Sequence, residues 1–208
     1  MFRIITIERE YGSGAAGIAA ELAHRLGWKL WDQELTQEIA KLANVEQSVV
    51  MRCEERMDSR FQRLANVFWR GSFERSANIS TVNVFNTDRW LALGTQVFNK
   101  AAAQGNSIFV GRGAPYLLRG RPDAFHVFLY APRAEKFRRI LQQGKNENEA
   151  NELLDTVDRD RVEFVRHYFN ADWPTRALYH VMLNTVMGDE NVLAAIQQAM
   201  ANLEKKPA

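Results

Sequence analysis

The 208-residue chain contains a single cysteine, Cys53, so no disulfide can form within it. A lone thiol in a charged helical stretch reads as a free, buried group in a reducing compartment, and a soluble cytoplasmic protein is expected. No stretch approaches the roughly 18 apolar residues that a membrane span needs. The apolar run in "MFRIITIERE" is too short for a secretory leader. Charge is nearly balanced, 27 Lys and Arg against 25 Asp and Glu, so neither nucleic acid nor a membrane is expected as a partner. The four histidines (His24, His126, His167 and His180) lack ligand spacing, and no metal site built from protein ligands is expected. There is no G-x-S-x-G elbow and no base matched to Cys53, which argues against the nucleophilic hydrolases. Internal repeats and low-complexity tracts are also missing.

What is present reads as alternating strands and helices. "RIITI" (3–7) is β-branched and almost continuously apolar, as a strand buried on both faces would be. Ile18, Leu22 and Leu26 recur at a helical step, with Gly27 as the stop. "WKLWD" then gives a short strand ending in Asp32, completing a strand–helix–strand unit. From Leu35 to Gln104 the pattern is mostly helical, interrupted by the polar, irregular segment 72–88, which reads as a long loop. "NSIFVGRG", "FHVFLYAP" and "YHVMLNT" are further strands, alternating with helices at 133–143, 150–169 and 191–203. The expected architecture is a doubly wound α/β sheet of about five parallel strands with a helical insert. Ligands of such sheets bind beyond the carboxyl ends of the strands. The glycine loop, Asp32 and "GRG" all fall there.

That loop, "REYGSGAAG" (9–17), has two candidate owners. Gly12, Gly14 and Gly17 match G-x-G-x-x-G, and Asp32 lies where a dinucleotide fold places its ribose carboxylate. However, Glu8 to Tyr11 intervene between strand and glycines, as in a phosphate-binding P-loop. In the P-loop alignment, Ala15 replaces the lysine that reaches the transferring phosphate, and Ala16 the hydroxyl that steadies Mg²⁺. The backbone logic remains, since small residues let consecutive N–H groups face an anion at a helix N-terminus. A tight strand–helix turn with no ligand is the bland alternative.

"IITIEREYGSG", the strand ending in Asp32, "SIFVGRGA", "HVFLYAP" with its basic helix, "DRDR", and "DW" leading to "LYHVMLNT" resemble, in this order, the cytidylate kinase-like proteins. These are a P-loop branch of the nucleoside monophosphate kinases. The resemblance covers 3–35 and 89–186 and implies a single three-layer P-loop NTPase domain. Residues 36–104 would be the acceptor-binding insert, and about 133–170 the lid. It implies ATP with nucleotide-borne Mg²⁺, and a nucleoside monophosphate or similar phosphorylated acceptor. Tyr11, Gly12, Ser13, Gly14, Ala15, Ala16 and Gly17 would hold the ATP phosphates. Asp32, Arg112, Lys136, Arg139 and Asp160 would bind the acceptor side. Arg9, Arg112, Arg159 and Arg161 would supply catalytic charge, Arg9 standing in for the absent lysine. The chain departs from the family in reading "GSGAAG", in "GRG" for "GRD", and in Gln33 for a serine.

Simpler roles stand beside these. Arg112 could form a salt bridge, Asp32 could cap the next helix, and the charges of "DRDRVEFVR" could pair along a helix surface. Two other functions remain open: nucleotide binding without turnover, favoured by the alanines at 15 and 16, and a dinucleotide-dependent oxidoreductase. The apolar and aromatic insert suits a homodimer.

Overall fold

The computed structural model describes residues 1–51 and 87–205. Five strands, β1 (Ile4–Arg9), β2 (Lys29–Trp31), β3 (Ser107–Val110), β4 (Ala124–Tyr130) and β5 (Val181–Asn184), form one sheet in the order β2-β3-β1-β4-β5. All four pairings are parallel. The expected five-stranded parallel sheet is therefore present.

The apolar runs are continuous because both faces of the sheet are covered. On one face, Ile5 and Ile7 pack with Ile18 and Leu22 of α1 (Ala15–Leu26) and Ile196 of α7 (Asp189–Glu204). On the other, Ile4 and Phe109 pack with Ile39 of α2 (Gln33–Ala43) and Trp90 and Phe98 of α3 (Thr87–Gln104). These two apolar layers make the three-layer architecture. Helix α4 (Ala114–Leu117) follows β3, α5 (Arg133–Gln142) follows β4, and α6 (Glu147–Phe169) leads to β5. An Asn146–Glu149 capping box opens α6. Of the expected loop 72–88, residues 72–86 lie outside the described residues, as does Cys53. Thr87 and Asp88 instead begin α3.

Strand order decides between the two owners of the glycine loop. A dinucleotide fold sets its second strand beside its first, whereas here β3 separates β1 from β2. The oxidoreductase alternative fails on this point. No helix among the described residues is long and apolar enough to cross a membrane.

Sheet burial also makes stability depend on pH. His126 on β4 is 3% exposed; its Nδ1 is hydrogen-bonded to Thr6 Oγ1 at 2.7 Å, and its backbone N–H donates to His180 Nδ1 at 2.9 Å. Burial, and secondarily the neighbouring His180, push its pKa down from 6.5 to about 4. The unfolded chain thus takes up this proton first as pH falls. Stability from this site is complete above pH 6.5 and is lost towards pH 4, by about 2 kcal/mol at pH 5. Urea titrations at pH 7 and pH 5 should show that difference, and His126→Gln should flatten it. An unchanged slope in the variant would assign the acid sensitivity elsewhere.

Candidate active site

The loop after β1 adopts its shape through two left-handed glycines, Gly12 (φ +75°) and Gly14 (φ +83°). Gly12 is also crowded, since a β-carbon there would lie 3.1 Å from Lys136 Cβ and 3.2 Å from Ile140 Cδ1. Gly14 occupies the N-cap position of α1 without a side-chain cap, and the first turn carries no acidic residue. The amides and positive dipole end of α1 thus meet no carboxylate from their own helix, a setting that favours an anion. Ala15 is 3% exposed and belongs to the apolar layer beneath α1, while Ala16 is exposed.

A cavity of about 530 Å³ opens at this loop, beyond the ends of β1 and β3. Arg9, Tyr11, Gly12, Ser13, Gly14, Ala15 and Ala16 line it from the loop, Asp32 and Arg112 from the acceptor-expected side, and Arg161 from α6. Gly17, Lys136, Arg139, Arg159 and Asp160 do not. Arg159 is exposed on α6, and Asp160 is buried. Thr36, Gln47, Met51, Leu153 and Val157, none singled out from sequence, complete much of the wall.

Arg112 sits in an unusual turn. Gly111 (φ +65°), Arg112 (φ +56°) and Gly113 (φ +70°) are all left-handed, which aims the Arg112 side chain back across the ends of the strands. Its guanidinium donates to Asp32 Oδ1 at 3.0 Å and Thr36 Oγ1 at 3.1 Å. Asp32 stands at the N-cap of α2 yet makes no capping bond, so its carboxylate serves Arg112 rather than the helix. Gly113 leaves room for Phe169, whose ring a β-carbon there would approach to 2.9 Å. An aspartate at this position would meet both the strained φ and that ring.

Arg9 reaches the same turn from the other side. Its guanidinium contacts Glu8 Oε1 at 3.2 Å and lies against Gly111, where a β-carbon would come within 1.9 Å of it. Arg9 therefore touches both halves of the cavity: it heads the glycine loop and abuts the "GRG" turn.

Helices α5 and α6 hold the loop from behind. Lys136 Nζ pairs with Glu10 Oε2 at 2.9 Å, and Asp158 Oδ1 accepts the Tyr11 backbone N–H at 2.8 Å. Arg161 donates to the Arg9 carbonyl at 2.8 Å and to Asp158 at 2.9 Å. Arg139 donates to the Ser13 carbonyl and to Thr185 Oγ1 (2.8 Å), and Thr185 Oγ1 in turn donates to Ser13 at 2.7 Å. Hydrogen bonds from Arg138, with the charge of Arg139 beside it, hold Glu135 down to about 2. Burial raises the Tyr11 hydroxyl, which Arg161 opposes only in part, so it stays protonated through the neutral range. Sequence reading missed Asp158 and Thr185. Asp158 stands in the quoted "DRDR", but its partner lies 147 positions away.

Comparison with known proteins places these features in a family. A curated cytidylate kinase of Methanosarcina mazei is 28% identical over 82 residues, covering 38% of this chain and 46% of the relative, so the match spans about half the relative's length. In structure, an uncharacterized protein of Eubacterium ventriosum superposes with a TM-score of 0.60 at 19% identity, covering 93% of this chain and 98% of that one. The shikimate kinase of Acinetobacter baumannii, solved with shikimate, gives 0.52 at 15% identity, covering 99% and 97%. At such identities these two show the fold alone, a three-layer P-loop NTPase fold. The cytidylate kinase-like family model matches residues 4–186, and the chain belongs to the cytidylate kinase-like family.

Proposed function

We propose that this protein transfers the terminal phosphoryl group of ATP to a nucleoside monophosphate or a similar phosphorylated small molecule. Family and fold support a kinase of the nucleotide or shikimate type. One observation carries the finer reading: a single cavity joins the uncapped N-terminus of α1 to the Arg112–Asp32 pair, with Arg9 on its wall against Gly111. In transfer, an acceptor oxygen forms a bond to the γ-phosphorus while the bond to the β–γ bridging oxygen breaks, releasing ADP. Such a reaction asks for positioning and charge neutralisation more than covalent chemistry. The amides of Gly12 to Gly17 would hold the donor phosphates, and Arg9, Arg112 and Arg161 would face the developing charge. Ala16 offers no hydroxyl, and no cluster of metal ligands exists among the described residues. Mg²⁺ would therefore travel with the nucleotide.

The test is ATP titration followed by coupled ADP release over a panel of nucleoside monophosphates, with shikimate included. Turnover with a monophosphate supports the proposal, and turnover with shikimate alone moves the acceptor to a polyol acid. Micromolar ATP binding without turnover on any acceptor makes the protein a nucleotide-binding module, the reading that Ala15 and Ala16 favour. No ATP binding sinks both.

A further inference from the structure

A carboxylate on a distant helix takes part in holding the segment that leads into the glycines. Asp158 is mostly buried, with 18% of its side chain exposed, and accepts the Tyr11 N–H at 2.8 Å through Oδ1. The same oxygen receives Arg161 NH1 at 2.9 Å, and that guanidinium nitrogen also donates to the Arg9 carbonyl at 2.8 Å. Asp158 Oδ2 lies 3.7 Å from Lys136 Nζ, which is paired with Glu10. Thus Asp158 and its two cationic partners bind three consecutive loop residues: the carbonyl of residue 9, the side chain of residue 10 and the amide of residue 11.

This arrangement has a chemical consequence. Backbone amides cradle an anion only when they converge, and convergence requires the preceding peptide planes to be fixed. Fixing the Arg9 carbonyl outward onto Arg161 and the Tyr11 amide onto Asp158 sets the direction in which the chain enters Gly12. It also sets the backbone from which the Arg9 side chain departs towards Gly111. A carboxylate is the acceptor suited to this place, because it can take an amide and a guanidinium together as charge-assisted bonds.

We infer that Asp158 is a positioning residue for phosphate binding: it touches no substrate and acts by setting the entry geometry of the glycine loop through the Tyr11 amide. The inference rests on the nucleotide-binding reading of that loop. Two variants separate the amide bond from the ionic network. Asp158→Asn keeps an oxygen for the Tyr11 N–H but gives up the charge shared with Arg161 and Lys136, whereas Asp158→Ala gives up both.

The experiment measures ATP affinity by calorimetry, melting temperature, and hydrogen exchange at the Tyr11 amide in nucleotide-free protein. Asp158→Ala should weaken ATP binding by up to about tenfold, the size of one hydrogen bond to a backbone amide, and should expose the Tyr11 amide to exchange. Asp158→Asn should recover most of both even where its melting temperature falls as far as that of the alanine variant. Two results overturn the inference: ATP affinity in Asp158→Ala within twofold of the parent, or affinity losses in both variants that simply follow melting temperature. Wild-type protein that binds no ATP removes the nucleotide reading beneath it. The exchange measurement then decides the clamp alone, and equal exchange at Tyr11 in parent and alanine variant overturns it.

Discussion

Arg9→Ala is expected to lower kcat by about 10²–10³-fold while changing ATP affinity far less, the range seen when one preorganised donor to a transition state is removed. The asymmetry follows from where the side chain sits. In the proposed reading the glycine loop and α1 would present amides to the donor phosphates whether or not Arg9 is present. The guanidinium instead lies against Gly111, beside the turn that carries Arg112, where charge would build as the phosphoryl group moves. Ala15 cannot share that task, being buried in the apolar layer beneath α1. Steady-state kinetics with varied ATP, paired with calorimetric ATP binding, checks the claim. Equal losses in affinity and in kcat would mean that Arg9 only helps to hold the ground state.

Gly111→Ala should reproduce that defect without removing any charged group. The added methyl would occupy the place of the Arg9 guanidinium, which must swing away because the Gly111 backbone is fixed by its N–H bond to the Ile7 carbonyl at 2.9 Å. A left-handed φ of +65° adds strain of about 1–2 kcal/mol for an alanine. The fold should survive this, with a lowered melting temperature. The decisive comparison is the double variant: if Gly111→Ala acts through Arg9, adding it to Arg9→Ala should cost little further kcat. Additive losses would show that the "GRG" turn has its own role in turnover.

Much of this was legible in the amino-acid order. Strands buried on both faces announce themselves as unbroken apolar runs, so "RIITI", "NSIFVGRG" and "FHVFLYAP" located β1, β3 and β4. Glycines at 12, 14, 111 and 113 marked the turns because left-handed backbone favours them. Strand order was not legible: nothing local tells that β3 inserts between β1 and β2, and only that order separates the P-loop from the dinucleotide fold. The roles of charged residues were legible only in part. Asp158 and Arg161 do form the i,i+3 helix pair that their spacing suggests, yet Arg161 is 7% exposed and also grips the Arg9 carbonyl. Arg139 carried the sign expected of a phosphate contact but is spent on Ser13 and Thr185. Such long-range pairings depend on how α5 and α6 come to rest on the loop, and no periodicity encodes that.

The wholly parallel sheet also bears on how the chain reaches its native state. Because this sheet contains no hairpin, β1 cannot pair until segments far along the chain arrive; Ile4 aligns with Ser107, about a hundred residues on. Such remote registration gives a high contact order and slow folding. Its thermodynamic penalty is mild, because closure entropy grows only with the logarithm of the connecting length, about 0.6 kcal/mol per doubling. The long connection between β2 and β3 therefore burdens the folding rate more than the stability.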